Sequence, residues 1–382
     1  MAYWLLFITI IIIALWGCSN NKKKVAQSLW LIWLCITLFQ GLRWNTGADW
    51  AQYEYTFRTS TWNNIFTYQR GLQDRYMEPG YMFINILIKT IFKYYTFFLL
   101  ITCGFINYVF KVLSKKYIPL RYQTLAFAML IVCSVIFPVR QGLACAVFFY
   151  FGLPYIHSRN FKKFLLVIVL CYTIHYSCLV LIVFYWINKP LNTYILLAIY
   201  MCSSIIAEVL PSVFDIVNKL PFIQGTSYSN LVESVMEQQL AAEEKVGLNN
   251  IYTITIASFF MLIFGYVRDK SKKTDKNEYI KLSILLNLFF IASLGIQLAQ
   301  MPTLRDCSRF GYWGGIGLPL LLIYSSHFFI KRHLKLYIPI IIFIVLFYFY
   351  KGASIFQGKY VDLYIPYYSI FENSKPRDVW YY

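Results

Sequence analysis

An all-α, polytopic integral membrane protein with about ten transmembrane helices is what three observations on this sequence predict together. Of its 382 residues, 59% are hydrophobic and 14% charged, and the mean hydropathy is +0.55. That is more apolar surface than one water-soluble core can hide. The apolar residues are gathered in long runs, and the positive charges between the runs are sorted by type. One set of connections carries lysine: Lys22, Lys23 and Lys24; Lys111, Lys115 and Lys116; Lys162 and Lys163; Lys270, Lys272, Lys273 and Lys276; Lys331 and Lys335. The intervening set carries arginine: Arg43, Arg58, Arg70 and Arg75, then Arg140, then Arg305 and Arg309. Lysine clusters beside apolar spans mark the cytoplasmic side. Topology and anionic headgroups therefore account for the net charge of +18 without a nucleic-acid partner.

Taken in order, the runs of span length cover residues 2–18, 26–42, 95–113, 123–139, 142–157, 191–209, 250–267, 279–299, 311–330 and 336–351. The first run is followed, not preceded, by its lysines. This is the wrong polarity for a cleaved secretory signal and predicts a retained span with the N-terminus outside. Residues 78–93 contain Pro79, Gly80, Lys89 and Lys93. If they crossed the bilayer, the lysines after residue 110 would lie outside, so an amphipathic helix in the outer interface fits better. Residues 164–187 are long enough to span but carry Thr173, His175, Tyr176 and Ser177 at their centre. A full crossing would put the RDKSKKTDK run that begins at Arg268 outside, so parity predicts two half-helices turning back near His175. With that correction both termini face out, every lysine-rich connection faces in, and residues 1–382 form a single membrane domain. The outer segments are 43–94, 210–249 and 352–382, the second of them acidic with Glu233, Glu237, Glu243 and Glu244.

Candidate chemistry gathers on the outer face. Arginine's planar, permanently charged fork suits phosphate, which makes Arg43, Arg140 with Gln141, and the Arg305/Arg309 pair with Tyr312 the predicted anion-binding residues. Arg140 follows Pro138 in a tight turn between two runs, where a guanidinium is costly unless paired or wetted; the plainer reading is an arginine snorkelling to headgroups. His175 is a candidate general base or hydrogen-bond donor to a bound anion, or a histidine paired inside a helix interface. Asp49 and Glu78 are carboxylates placed to deprotonate a sugar hydroxyl; each can equally be a helix-start charge. Arg305 and Arg309, four apart, can share a helix face, or an Arg–Asp pair with Asp306 can simply shape the turn. Trp44, Trp50 and Tyr53 are candidates to stack on sugar rings, although most aromatics here serve packing and the interfacial belts. The cysteines show no CxxC and no metal-type spacing, so neither disulfides, a metal nor a cofactor is expected.

Several short motifs now fall in a telling order: R-x5-D-x3-Y (Arg43, Asp49, Tyr53), E-x-G-Y (Glu78, Gly80, Tyr81), R-Q-x-L-A (Arg140, Gln141, Leu143, Ala144), I-H-x-S (Ile174, His175, Ser177) and R-x2-Y (Arg309, Tyr312). From about residue 26 to 330, this order resembles the EpsG/Wzy-like family of polysaccharide polymerases. The resemblance implies a GT-C-like glycosyltransferase in the bacterial cytoplasmic (inner) membrane with its active site facing outward. It would join undecaprenyl-diphosphate-linked oligosaccharide repeat units for an O-antigen, capsule or exopolysaccharide and release undecaprenyl diphosphate. A chain-length regulator is a further candidate partner. Asp49, Glu78 and His175 would be the catalytic residues; Arg43, Arg140, Gln141, Arg305, Arg309 and Tyr312 would hold the diphosphate. The rival readings are a flippase or transporter of a lipid-linked anionic glycan, which needs charge through both leaflets, and an O-antigen ligase, which differs in its acceptor.

Overall fold

The structure is a computed structural model that describes residues 1–47, 49–69, 76–134, 136–203, 205, 248–300, 307–357 and 361–372. Arg70, Arg75, Arg305, Asp306 and residues 210–247 of the outer segment predicted at 210–249 lie outside the described residues. Among the described residues every regular element is a helix and there is no strand. The chain is an all-α polytopic membrane protein. It divides into two compact units, one made of residues 1–186 and 326–382, the other of residues 187–325.

In the first unit the helices are α1 (Ala2–Trp16), α2 (Lys22–Gly41), α3 (Trp50–Thr59), α4 (Pro79–Ile91), α5 (Tyr95–Tyr117), α6 (Gln123–Cys133), α7 (Arg140–Val147), α8 (Leu153–His157) and α9 (Phe161–Ile174), with a 3-10 helix at Tyr176–Trp186 and a late helix at Tyr337–Ala353. Helices α1, α2, α5 and α6 pack on one another, and α6 is buried on all sides from Gln123 to Val132. Three helices among the described residues are long and apolar enough to cross a bilayer: α5, Lys276–Leu298 and the Leu334–Phe356 stretch. A fourth is added if the pair Cys307–Gly314 and Gly317–Arg332, bent by 42°, counts as one span. The other expected spans are shorter or interrupted, and the interruptions have physical causes.

Residues 123–139 read as one span, yet α6 ends at Cys133 and the chain runs non-helically until α7 begins at Arg140. Pro138 supplies no N–H and biases Phe137 away from helical geometry. The carbonyls freed by the break need partners, and Gln40 of α2 provides one: its Nε2 donates to Ile136 O at 2.6 Å, while its Oε1 accepts from Asn107 Nδ2 of α5 at 2.8 Å. The predicted 142–157 span widens to a π turn at Phe148–Gly152 before α8, where Pro154 leaves the carbonyl one α-turn earlier without a donor.

The 164–187 run does turn back at His175. Phe161 and Phe164, at the start of α9, meet the ring of Tyr185, at the end of the 3-10 helix, with centroids 5.0 and 5.4 Å apart. Tyr185 Oη also donates to Arg159 O at 2.7 Å. The segment is a helical hairpin with His175 at its tip.

In the second unit, α10 (Thr193–Met201) packs on Leu248–Ser271 and Lys276–Leu298. Arg268 ties its base, donating from Nη1 to Leu191 O at 2.6 Å and from Nη2 to Thr193 Oγ1 at 3.0 Å. The short helix Phe310–Gly314 lies against Lys276–Leu298.

Candidate functional site

Three chain segments converge in the first unit. The N-terminus of α4 brings Glu78, the first residue of α7 brings Arg140, and the hairpin tip brings His175 and Tyr176. Arg140 Nη1 donates to Glu78 Oε2 at 2.7 Å and to Met77 Sδ at 3.0 Å. The other carboxylate oxygen, Glu78 Oε1, accepts the Tyr176 amide at 3.1 Å, so the carboxylate also caps the start of the 3-10 helix, where negative charge is favoured. Both side chains of the ion pair are buried, 5% exposed for Arg140 and 6% for Glu78.

Close helix packing makes this meeting possible. Gly80, in the first turn of α4, lies where a Cβ would overlap the Thr173 hydroxyl and stand 2.8 Å from the Thr173 carbonyl oxygen. Only a residue without a side chain lets α4 come so near the end of α9. Glu78 then falls within reach of Tyr176.

An aromatic cluster supports the same corner. Trp50, Tyr53 and Phe57 of α3 pack with Tyr81 and Met82 of α4 and with Tyr95 and Phe98 of α5. The Arg140 guanidinium lies 6.0 Å from the Tyr53 ring centroid, and Tyr53 meets Tyr81 at 5.8 Å. Several donors of this cluster find no hydrogen-bond partner among the described residues: Arg140 Nε, Gln141 Nε2, Trp50 Nε1, and the hydroxyls of Tyr81 and Tyr95. Buried polar atoms are seldom left unpaired, and a gathering of spare donors is chemistry suited to an anion or a polyhydroxylated ligand.

The other predicted site residues take distinct places. Asp49 is the exposed N-cap of α3 and makes no capping bond, one turn before Tyr53 on the same helix face. Arg43 is 1% exposed; its Nη1 donates to Gln40 O at 2.8 Å and its guanidinium lies 4.7 Å from the Phe137 ring centroid. Its Nε has no hydrogen-bond partner among the described residues. Arg309 and Tyr312 belong to the second unit, where Arg309 occupies the N-cap position of the helix Phe310–Gly314 without a side-chain capping bond. Gly314 of that helix comes so close to the helix Lys276–Leu298 that a Cβ would overlap Leu288 O, which fixes Arg309 and Tyr312 to a rigid support.

His175 is held by its own turn. Its Nδ1 lies 2.7 Å from Ser177 Oγ and 3.3 Å from Ser177 N, and its ring stacks on Tyr176 with centroids 5.2 Å apart. Met77, Gln40 and Asn107 were not predicted from sequence. The last two left a signal, since an amide inside an apolar run is expected to bond across helices.

A buried Arg–Glu pair beside a helical hairpin, on an all-helical membrane scaffold, is the candidate site of this membrane protein. The profile of the EpsG family matches residues 27–369, and the chain belongs to that family. Its activity is accordingly of the polysaccharide-polymerase, glycosyltransferase-like type. No curated protein and no solved structure matches the chain.

Proposed function

We propose that this protein is a polysaccharide polymerase that joins oligosaccharide repeat units carried on undecaprenyl diphosphate, on the outer face of a bacterial cytoplasmic membrane. The observation that carries this reading is the buried Arg140, whose Nη1 is anchored by Glu78 while its Nε retains an unused donor. A diphosphate leaving group accumulates negative charge as the bond to the anomeric carbon breaks, and a fixed guanidinium in a low-dielectric site stabilises that charge most strongly. Gln141 and Arg43 add donors on the same unit.

In the reaction, a hydroxyl of the acceptor repeat unit attacks the anomeric carbon of the donor glycan. The new C–O bond forms, the C–O bond to the diphosphate breaks, and the diphosphate departs with the electron pair. The hydroxyl proton passes to a carboxylate. Asp49, exposed at the start of α3 and one turn before Tyr53 on the same helix face, takes that role. Glu78 instead orients Arg140.

The test is purified protein given a lipid-linked repeat unit, with glycan length and free undecaprenyl diphosphate followed together. The expected result is a ladder with matching diphosphate release, abolished in Asp49→Asn and Arg140→Ala. No ladder, with lipid reaching the opposite leaflet of reconstituted vesicles, would replace the polymerase by a flippase.

A further inference from the structure

Lys111 of α5 is only 5% exposed, yet its ammonium has no hydrogen-bond or carboxylate partner among the described residues. The other buried charges, Arg43, Glu78, Arg140 and Arg268, each form at least one hydrogen bond through the charged group. The Lys111 ammonium rests on aromatic rings instead. Its Nζ lies 2.9 Å from the ring centroid of Trp30, 4.6 Å from that of Tyr108 and 5.9 Å from that of Trp33. Ring faces attract a cation, but an ammonium carries three donors that want acceptor oxygens. Nor is the group sealed: Lys111 Nζ is not one of the fully buried side-chain atoms left without a partner, so it reaches the surface of the helix pair.

The surroundings are amphipathic. Helices α2 and α5 run antiparallel, because the approaches of Gly41 to Leu100, Thr37 to Gly104 and Trp30 to Lys111 descend one helix as they climb the other. The start of α2 therefore lies at the end of α5. Lys22 and Lys23, exposed in the first turn of α2, fall at the same end as Lys115, exposed one turn beyond Lys111 on the same face of α5. In the other direction along α2, Leu34 and Leu38 follow Trp30 at four-residue spacing, and the three are 46%, 41% and 52% exposed respectively. That apolar strip covers about 12 Å of helix, within the roughly 15 Å depth of one leaflet.

We propose that Lys111, Lys115 and Lys23 form a site for the headgroup of an anionic phospholipid whose acyl chains lie along Trp30, Leu34 and Leu38. The phosphate oxygens give Lys111 the acceptors that no side chain gives it. A soluble phosphate would meet the same cations but gain nothing from the strip, so the occupant is a lipid. By the charge rule the lysine-rich end is cytoplasmic; the lipid belongs to that leaflet and is separate from the substrate placed at Arg140. A lipid held by both helices braces the pair that also carries the Gln40–Asn107 bond. The site stands whether or not the protein polymerises glycans.

The test titrates the purified full chain in detergent with phosphatidylglycerol, phosphatidylcholine or inorganic phosphate, reading the thermal midpoint and counting retained lipid by native mass spectrometry. Phosphatidylglycerol should raise the midpoint and stay bound, and the other two should do neither. Lys111→Met keeps the stem and removes the ammonium, and should raise the apparent Kd for phosphatidylglycerol by about tenfold or more, the scale of a lost charged hydrogen bond. Lys111→Arg retains charge and donors and should stay within about threefold. Lys115→Gln and Lys23→Gln should each cost about fivefold, as for one basic residue beside an anionic headgroup. Lys162→Gln, at an exposed lysine that starts α9, should change the Kd by less than about twofold.

Three results overturn the proposal. Equal effects of Lys111→Met and Lys162→Gln would mean a diffuse surface potential. An equal response to phosphatidylcholine would mean that acyl chains alone bind. Inorganic phosphate matching phosphatidylglycerol would mean a soluble-anion site. If Lys111→Met does not fold, the exposed Lys115→Gln and Lys23→Gln decide, and unchanged affinity in both overturns the site.

Discussion

Arg140 and Glu78, 62 positions apart in the chain, meet through a 2.7 Å hydrogen bond between Nη1 and Oε2, with both side chains out of solvent. The pair unites the first residue of α7 with the N-cap of α4. Through the Tyr176 amide it also reaches the hairpin tip. A carboxylate committed to two donors is a good anchor, and it ties Arg140 to the hairpin tip.

The pair makes its own thermodynamic prediction. Glu78→Ala leaves a buried guanidinium uncompensated and should destabilise the protein by about 3–5 kcal/mol. Removing both charges in Glu78→Ala/Arg140→Ala should recover much of that loss, while activity stays absent. Thermal unfolding midpoints of the single and double variants in detergent check this; a double variant no more stable than Glu78→Ala would show that the pair is not the source of the cost.

Gly80 is the packing condition for the site. Gly80→Ala puts a methyl group against Thr173, and the obstacle includes a backbone oxygen at 2.8 Å, which cannot swing away as a side chain can. The expected outcome is a protein that still inserts but loses polymerisation by about 100-fold, since a displacement of about 1 Å in a positioned group costs that much. Thr173→Ala should not rescue it, because the carbonyl remains. Full activity in the double variant would locate the constraint in the hydroxyl alone.

How much of this was legible beforehand depends on range. Arg140 and His175 stood out because each is a costly polar residue in an apolar setting, and parity of the lysine clusters required the chain to turn back at His175. What held Arg140 was not legible, because its partner Glu78 is distant, and the same is true of Gln40 for the carbonyl of Ile136, 96 positions away. Periodicity and composition are local signals and carry no pairing information. The break after Cys133 was hidden for a related reason: residues 123–139 are apolar enough to read as one span, and only Pro138 hinted otherwise. Asp49 as an N-cap, the plainer alternative, matches its position at the start of α3, although it makes no capping bond.

Gln40 should matter more than its distance from the chemistry suggests. Gln40→Leu leaves Ile136 O without its donor and removes one of the two acceptors of Asn107 Nδ2, costing about 1–3 kcal/mol for a buried polar group left unsatisfied. Gln40→Glu is the sharper test, since it keeps the shape and the acceptor but cannot donate in its ionised form. Both should lower the thermal midpoint, and both should reduce polymer yield by loosening the segment that leads into Arg140. Unchanged midpoints would mean that water replaces the lost donor.

The tail is expected to hold the turn that carries Arg43. Residues 361–372 run along it: Gly47 N donates to Leu363 O at 2.8 Å, Trp44 N to Tyr368 O at 2.8 Å, and Ile370 N to Leu42 O at 2.9 Å. The Tyr367 ring stacks on Phe39 at 4.2 Å, and its hydroxyl donates to Phe39 O at 2.8 Å. Ending the chain at residue 360 removes all of these contacts while leaving each apolar helix intact. The truncated protein should insert normally, show new protease cleavage between α2 and α3, and lose polymerisation by at least about tenfold, as expected when positioned groups are released. Tyr367→Phe removes only one hydrogen bond, about 1 kcal/mol, and keeps the ring stack, so it should remain active. A truncated chain with wild-type yield would show that the turn holds Arg43 without the tail.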